Sequence, residues 1–149
     1  MGAVTWDTPS SLTAYLSTDL NTLADSTSDT TGFSAVGAEI SNGTDLKRYI
    51  ALELVVAAQG SARSAGGFVA VYINYSADGT TYDDTSNMAF SEVLTVFALD
   101  AATTARRLTR VNIPVAPVDF KLLALNNTGQ AFAASGNTLK YRTYNETVA

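Results

Sequence analysis

The chain has neither cysteine nor histidine among its 149 residues, and each absence narrows its chemistry. Without thiols, neither disulfides nor thiolate metal sites can hold the fold. Without imidazole, the commonest general base, the usual partner of a nucleophilic serine and the commonest transition-metal ligand are missing. Proline is scarce and charged residues make up only 15% of the chain. The net charge of −5, with a pI near 4.4, argues against a nucleic-acid footprint. No apolar run reaches the roughly 20 residues that span a bilayer as a helix. The opening MGAVTWDTPS has neither the basic nor the apolar stretch of a signal peptide. Trp6 stands where a myristoylation site needs Ser or Thr. These features predict a chain made without a leader, with no membrane or nucleic-acid partner.

Catalytic signatures are missing too. There is no Gly-x-Ser-x-Gly, no P-loop, no zinc-ligand spacing and no pair of acids set apart by context. The expectation is a binding or structural protein rather than an enzyme, with no cofactor and no metal. Four Asn-x-Ser/Thr triplets, at Asn42, Asn74, Asn126 and Asn145, are read as chance in a chain rich in those residues.

What remains is 46% apolar, enough for one domain that buries about two-thirds of the surface its unfolded chain exposes. So little charge also implies that a partner covers part of the surface. Residues 12–23 are ambiguous. Leu12, Tyr15, Leu16, Leu20 and Leu23 fit a helix face, whereas Leu12, Ala14, Leu16 and Leu20 also fit a strand. We read 1–24 as an N-terminal arm or short helical segment and 25–149 as a single β-sandwich domain. Strands are predicted at 33–40, 48–57, 67–75, 91–99, 105–113, 118–125 and 138–144, rich in Val, Tyr, Phe and Thr and separated by turn-forming stretches. A further strand near Val4–Trp6 would make eight, the count of a jelly roll. The fold class expected is all-β, an antiparallel sandwich of jelly-roll kind.

The alternation differs between strands. In 48–57, Ile50, Leu52, Leu54 and Val56 share one face, and Tyr49, Ala51 and Glu53 the other. In 67–75 both faces are apolar, Val69, Val71 and Ile73 opposing Phe68, Ala70 and Tyr72; in 91–99, Val93 and Phe97 oppose Leu94 and Val96. A sandwich strand covers one face on its own core, so the second needs a loop or a subunit interface.

Three stretches carry candidate sites. Asp78-Gly79 predicts a type I′ hairpin turn, with positive φ at both central positions. Asp78, Asp83 and Asp84 do not have the EF-hand spacing, and a solvated acidic loop outweighs a calcium site. The string from Ser76 to Tyr82 resembles the S-x-D-G-x-x-Y/W hairpin of discoidin-like and other carbohydrate-binding sandwiches. On that reading Tyr75, Asp78 and Tyr82 are the sugar-binding residues. In ARRLTR, Arg107, Thr109, Val111 and Ile113 are expected on one face and Arg106, Leu108 and Arg110 on the other. The second set would be an outward stripe for an acidic partner or a charged guard on a sheet edge.

Taken together, LNTLADSTSDTTGFSAVGAEISNGTDL (20–46), YINYSADGTTYDD (72–84) and FKLLALNNTGQAFAASGNTLKYRTYNE (120–146) resemble small virion proteins of tailed bacteriophages, of the capsid decoration or cement type. The resemblance implies a virion location on the capsid surface, the major capsid protein as partner and self-association, a trimer in preference to a dimer. It also implies a capsid or subunit interface, for which we name Trp6, Tyr15, Phe68, Tyr72, Arg106, Arg107 and Arg110. The termini, 1–24 and 141–149, are the candidate arms. The alternative is a virion-surface or tail module that binds host carbohydrate through the hairpin.

Overall fold

A computed structural model describes residues 3–25, 35–83 and 91–148. Its strands, in chain order, are β1 (Val4–Trp6), β2 (Thr13–Leu16), β3 (Ala35–Val36), β4 (Tyr49–Val56), β5 (Phe68–Ser76), β6 (Glu92–Ala98), β7 (Arg106–Pro114), β8 (Asp119–Asn127), β9 (Thr138–Tyr144) and β10 (Glu146–Val148). Sheet I has the order β2-β9-β4-β7 and sheet II the order β3-β8-β5-β6, while β1 and β10 form a two-stranded ribbon. Every pairing is antiparallel. Strands 2 to 9 thus cross between two four-stranded sheets in the order of a jelly roll, with β5 and β6 as neighbours in one sheet.

The core lies between the sheets. β4 contributes Ile50, Leu52, Leu54 and Val56, all fully buried, and β9 contributes Leu139. Facing them are Val69, Val71 and Ile73 of β5, Phe97 of β6, and Phe120, Leu122 and Ala124 of β8. Burial of each large aliphatic side chain contributes roughly 1.5–3 kcal/mol, which makes this interface the dominant stabilising element.

The expected helix over 12–23 does not form: Thr13–Leu16 is a strand and Thr18–Leu20 a single 3-10 turn. The leucine spacing suits both periods, and what decides is the edge of β9, whose backbone groups need a partner. The count of eight sandwich strands therefore includes β2, whereas Val4–Trp6 lies outside both sheets. Nor do the termini hang apart. Ribbon pairing of Val4 with Val148, the Asp7 N–H to the Asn145 carbonyl at 2.9 Å and the Ser10 N–H to the Thr143 carbonyl at 3.0 Å zip the N-terminal segment along the C-terminal one. The expected strand at 33–40 is reduced to Ala35–Val36 plus one bridge from Ile40 to Phe120; residues 33 and 34 lie outside the described residues. Among the described residues, no helix is long and apolar enough to cross a membrane.

Two bulges invert the expected alternation. In β6 the register slips opposite Val71 and Tyr72, so Leu94 and Phe97 both turn to the core while Val93 and Val96 are exposed. In β7 an extra residue lies opposite Ile50–Leu52, where Asn112 takes φ 57°. Ile113 is thereby turned to the core, away from the Arg107, Thr109 and Val111 face.

Candidate functional site

The outer face of sheet I holds a groove with a volume of about 370 Å³. Its floor comes from β4 and β9, where Ala51 pairs with Arg142 and Glu53 with Lys140. Trp6 and Leu12, held by the zipped N-terminal segment, form one wall, and Val111 on β7 the other. At one end Tyr49 stacks on Tyr144 at 5.9 Å, and the Trp6 ring meets both edge-on at 5.6 and 5.4 Å. Trp6 nonetheless stays 51% exposed. The strained Asn112 is clamped here: its N–H donates to the Tyr144 hydroxyl at 2.6 Å, and that hydroxyl donates to its Oδ1 at 2.8 Å. Glu53 makes long ion pairs with Arg107 at 3.8 Å and Lys140 at 3.7 Å. The Arg142 guanidinium, half-buried in the groove, has no hydrogen bond or ion pair to a described residue.

The outer face of sheet II has the opposite character. Phe68 and Tyr72 of β5, Val93, Val96 and Ala98 of β6 and Val36 of β3 are at least partly exposed there, while Ala70, Leu123 and Leu125 among them are buried. Leu123 is fully covered although it faces away from the core, with Tyr72 and Val36 as its cross-strand neighbours. Burial pushes the Tyr72 phenol above its ordinary pKa. The charges on this face stand at one end: Asp119 accepts the Gly43 N–H at 2.6 Å and Lys121 lies 4.1 Å over the Tyr82 ring.

Other residues singled out from the sequence have internal duties. Tyr15 is half-buried; its hydroxyl donates to the Ala38 carbonyl at 2.6 Å and accepts the Leu122 N–H at 2.8 Å, tying sheet I to sheet II. A Cβ on Gly37 would come within 2.1 Å of the Tyr15 ring, so only glycine admits the bolt. Burial raises the Tyr15 pKa. The Arg106–Leu108–Arg110 face does not point outward as a docking stripe. Leu108 packs on the core, Arg106 pairs with Asp100, and Arg110 lies 5.4 Å over buried Phe97 and donates to the Val96 carbonyl at 3.3 Å. Arg107 is the member that faces out, its side chain 69% exposed.

The hairpin site dissolves in the same way. Gly79 has φ 74°, but Asp78 is not in the left-handed region, so the turn is not type I′. Instead the Asp78 carboxylate accepts hydrogen bonds from Ser76 Oγ, the Thr80 and Thr81 N–H groups and Thr81 Oγ1, at 2.7–3.0 Å. These donors, the Thr81 and Thr80 backbone first, hold it well below the usual carboxylate range. Tyr75 packs on Phe120 and its hydroxyl accepts the Ala116 N–H at 3.2 Å; burial raises its pKa. The Tyr82 hydroxyl donates to Glu39 at 2.8 Å, and burial with that acceptor raises its pKa. Asp84 lies outside the described residues; among those described, no group of three or more metal-ligating side chains converges. Asn42, Asn74 and Asn126 are buried, which closes three of the four glycosylation triplets in the folded chain.

Sequence reading missed Arg63, whose fully buried guanidinium donates to Gln59 Oε1, to the Asp100 carboxylate and carbonyl, and to the Thr104 carbonyl at 3.0–3.2 Å. Two salt-bridging arginines hold Asp100 down to about 2, the hydrogen bond from Arg106 first. An arginine in a Gly/Ser/Ala loop gives no hint of burial, because apart from nearby Gln59 its partners, Asp100 and Thr104, come from a distant loop. The groove was equally hidden, since Trp6, Glu53 and Arg142 meet only through strand pairing.

No family model matches the chain. No curated protein matches it either. Among solved structures it is similar to the K3 cleaved adhesin domain of Lys-gingipain from Porphyromonas gingivalis w83, at 16% identity and a TM-score of 0.38, over 76% of this chain and 62% of that one.

Proposed function

We propose that this chain is a capsid decoration, or cement, protein of a tailed bacteriophage, bound to the outer surface of the assembled head. The observation that carries the reading is the apolar outer face of sheet II, where Val93 and Val96 are exposed beside half-buried Phe68. A patch of this kind on a sheet whose other face already forms the core calls for a partner. On this reading the partners are the major capsid protein and further copies of this chain, a trimer in preference to a dimer because shells offer three-fold sites. Binding that spans capsid subunits stabilises the shell by mass action, and needs a rigid scaffold rather than a reaction centre.

Of the interface residues named from the sequence, Phe68 and Tyr72 belong to this face. Arg107 and Trp6 lie on the opposite face, and Tyr15, Arg106 and Arg110 serve the fold. The host-carbohydrate alternative loses the hairpin as its site, because Tyr75, Asp78 and Tyr82 spend their polar groups internally.

The test is to mix the protein with heads stripped of it, pellet the shells and count bound copies. Saturation at a whole-number ratio to the capsid protein, with a raised shell melting temperature, is expected. The Val93→Asp/Val96→Asp variant should keep its own melting temperature and lose at least tenfold in affinity. Undiminished binding by that variant would remove sheet II from the interface, and no co-pelleting at all would sink the decoration reading.

A further inference from the structure

We propose that the groove on the outer face of sheet I binds an acidic saccharide, a carboxylate-bearing sugar of one or two rings. This site lies on the face opposite the proposed shell contact and does not depend on it.

Charge selects an anion. Among the residues lining the groove, Glu53 is the one carboxylate and Arg142 the one guanidinium; Arg107 and Lys140 flank Glu53 at 3.8 and 3.7 Å, and Glu146 pairs with Trp6 in the ribbon. Arg142 presents a planar array of five donors with none engaged by a described residue, at a half-buried position where water compensates it incompletely. A carboxylate is the group that matches this fork with two parallel hydrogen bonds.

The rest of the lining selects a sugar. A pyranose ring has an apolar C–H face and a rim of hydroxyls. Trp6 offers a half-exposed indole whose orientation is fixed by the Tyr49–Tyr144 stack, so little freedom is lost when a ring packs on it. Hydroxyl partners stand nearby with capacity unspent. The Glu53 carboxylate is met by cations at 3.7–3.8 Å without a hydrogen bond, and the Thr109 hydroxyl and the Asn112 side-chain Nδ2 have none to described residues. The volume, about 370 Å³, falls at the small end of the range of small-molecule sites, roughly 300–1,000 Å³, and is small for a protein epitope.

Trp6 is the sole tryptophan, so its fluorescence reports on this groove alone. The intact chain would be titrated with trigalacturonic acid, sialyllactose, neutral maltotriose and hexaglutamate. A saturable change with at least one of the two acidic sugars is expected, at least tenfold tighter than with maltotriose or hexaglutamate. Arg142→Ala should abolish it while its melting curve matches the parent. Val111→Trp, which fills the groove from an exposed position, should block the same sugar in an equilibrium-dialysis assay, and Tyr82→Phe should leave binding unchanged. The assignment is overturned by no saturable change with either acidic sugar, by an equal or stronger response to hexaglutamate, or by full binding in Arg142→Ala.

Discussion

The two outer faces of the sandwich are built on similar strand frames and differ in almost everything their side chains do. On sheet I, β4, β7 and β9 turn Glu53, Arg107, Lys140 and Arg142 outward around a groove walled by the N-terminal segment. On sheet II, β5, β6 and β8 turn out Phe68, Tyr72, Val96 and Leu123, with charge confined to one end. A face with water as its neighbour can carry charge at little cost, whereas one covered by another surface loses stability for every unpaired polar group. On the two proposals above, sheet I is left to solvent and a small ligand, and sheet II to a covering partner.

The strongest way to break this contrast is at Leu123. If the outer face of sheet II behaves as a second core, Leu123→Ala should cost about 3 kcal/mol in urea denaturation, as for a buried leucine. A loss under about 1 kcal/mol would mean that the site is only nominally covered. Next comes the bolt between the faces. Gly37→Ala forces a methyl group into the Tyr15 ring and should cost about 2 kcal/mol, with strain rather than lost contact as the cause. A neutral result would show that the Tyr15 hydroxyl is not held where its two backbone partners place it.

The seam where the sheets meet, at Asp100, gives a pH signature. Its carboxyl is held near 2 in the folded chain, below the ordinary carboxylate value. A depressed pKa stabilises fully above that ordinary value, about 3.9, and the contribution fades as pH falls toward 2. The melting temperature of Asp100→Asn should therefore lie below the parent's at neutral pH and converge on it in acid. Parallel curves would contradict the coupling to Arg106 and Arg63. The smallest effect is expected on sheet I: Val111→Ala, at a 60% exposed position, should change stability by no more than about 0.5 kcal/mol. A larger loss would mean that the groove wall is structural after all.

Much of this architecture can be read from local pattern. The expected strands at 48–57, 67–75, 105–113 and 138–144 match β4, β5, β7 and β9 closely, because each is a run of β-branched and aromatic residues bounded by turn formers. The doubly apolar character of β5 was equally plain. What escaped was β2, whose leucines fit two periods, and β10, too short to announce itself. The faces of β6 and β7 were misread beyond their bulges, since one extra residue exchanges inside for outside in everything that follows. The candidate sites fared worse than the strands. Asp78, Tyr75, Tyr82 and Tyr15 are conspicuous in sequence because they are polar or aromatic near turns, yet all four satisfy neighbours within the fold.

Composition and alternation, which are properties of neighbours along the chain, were enough to exclude thiol and imidazole chemistry, to place most strands and to show that one strand has two apolar faces. Strand order, the bulge at Asn112, the burial of Arg63 and the meeting of Trp6 with Arg142 depend on which distant segments pair, and in what register. Pairing is decided by the summed burial and hydrogen bonding of whole sheets, a quantity that no short window of sequence contains.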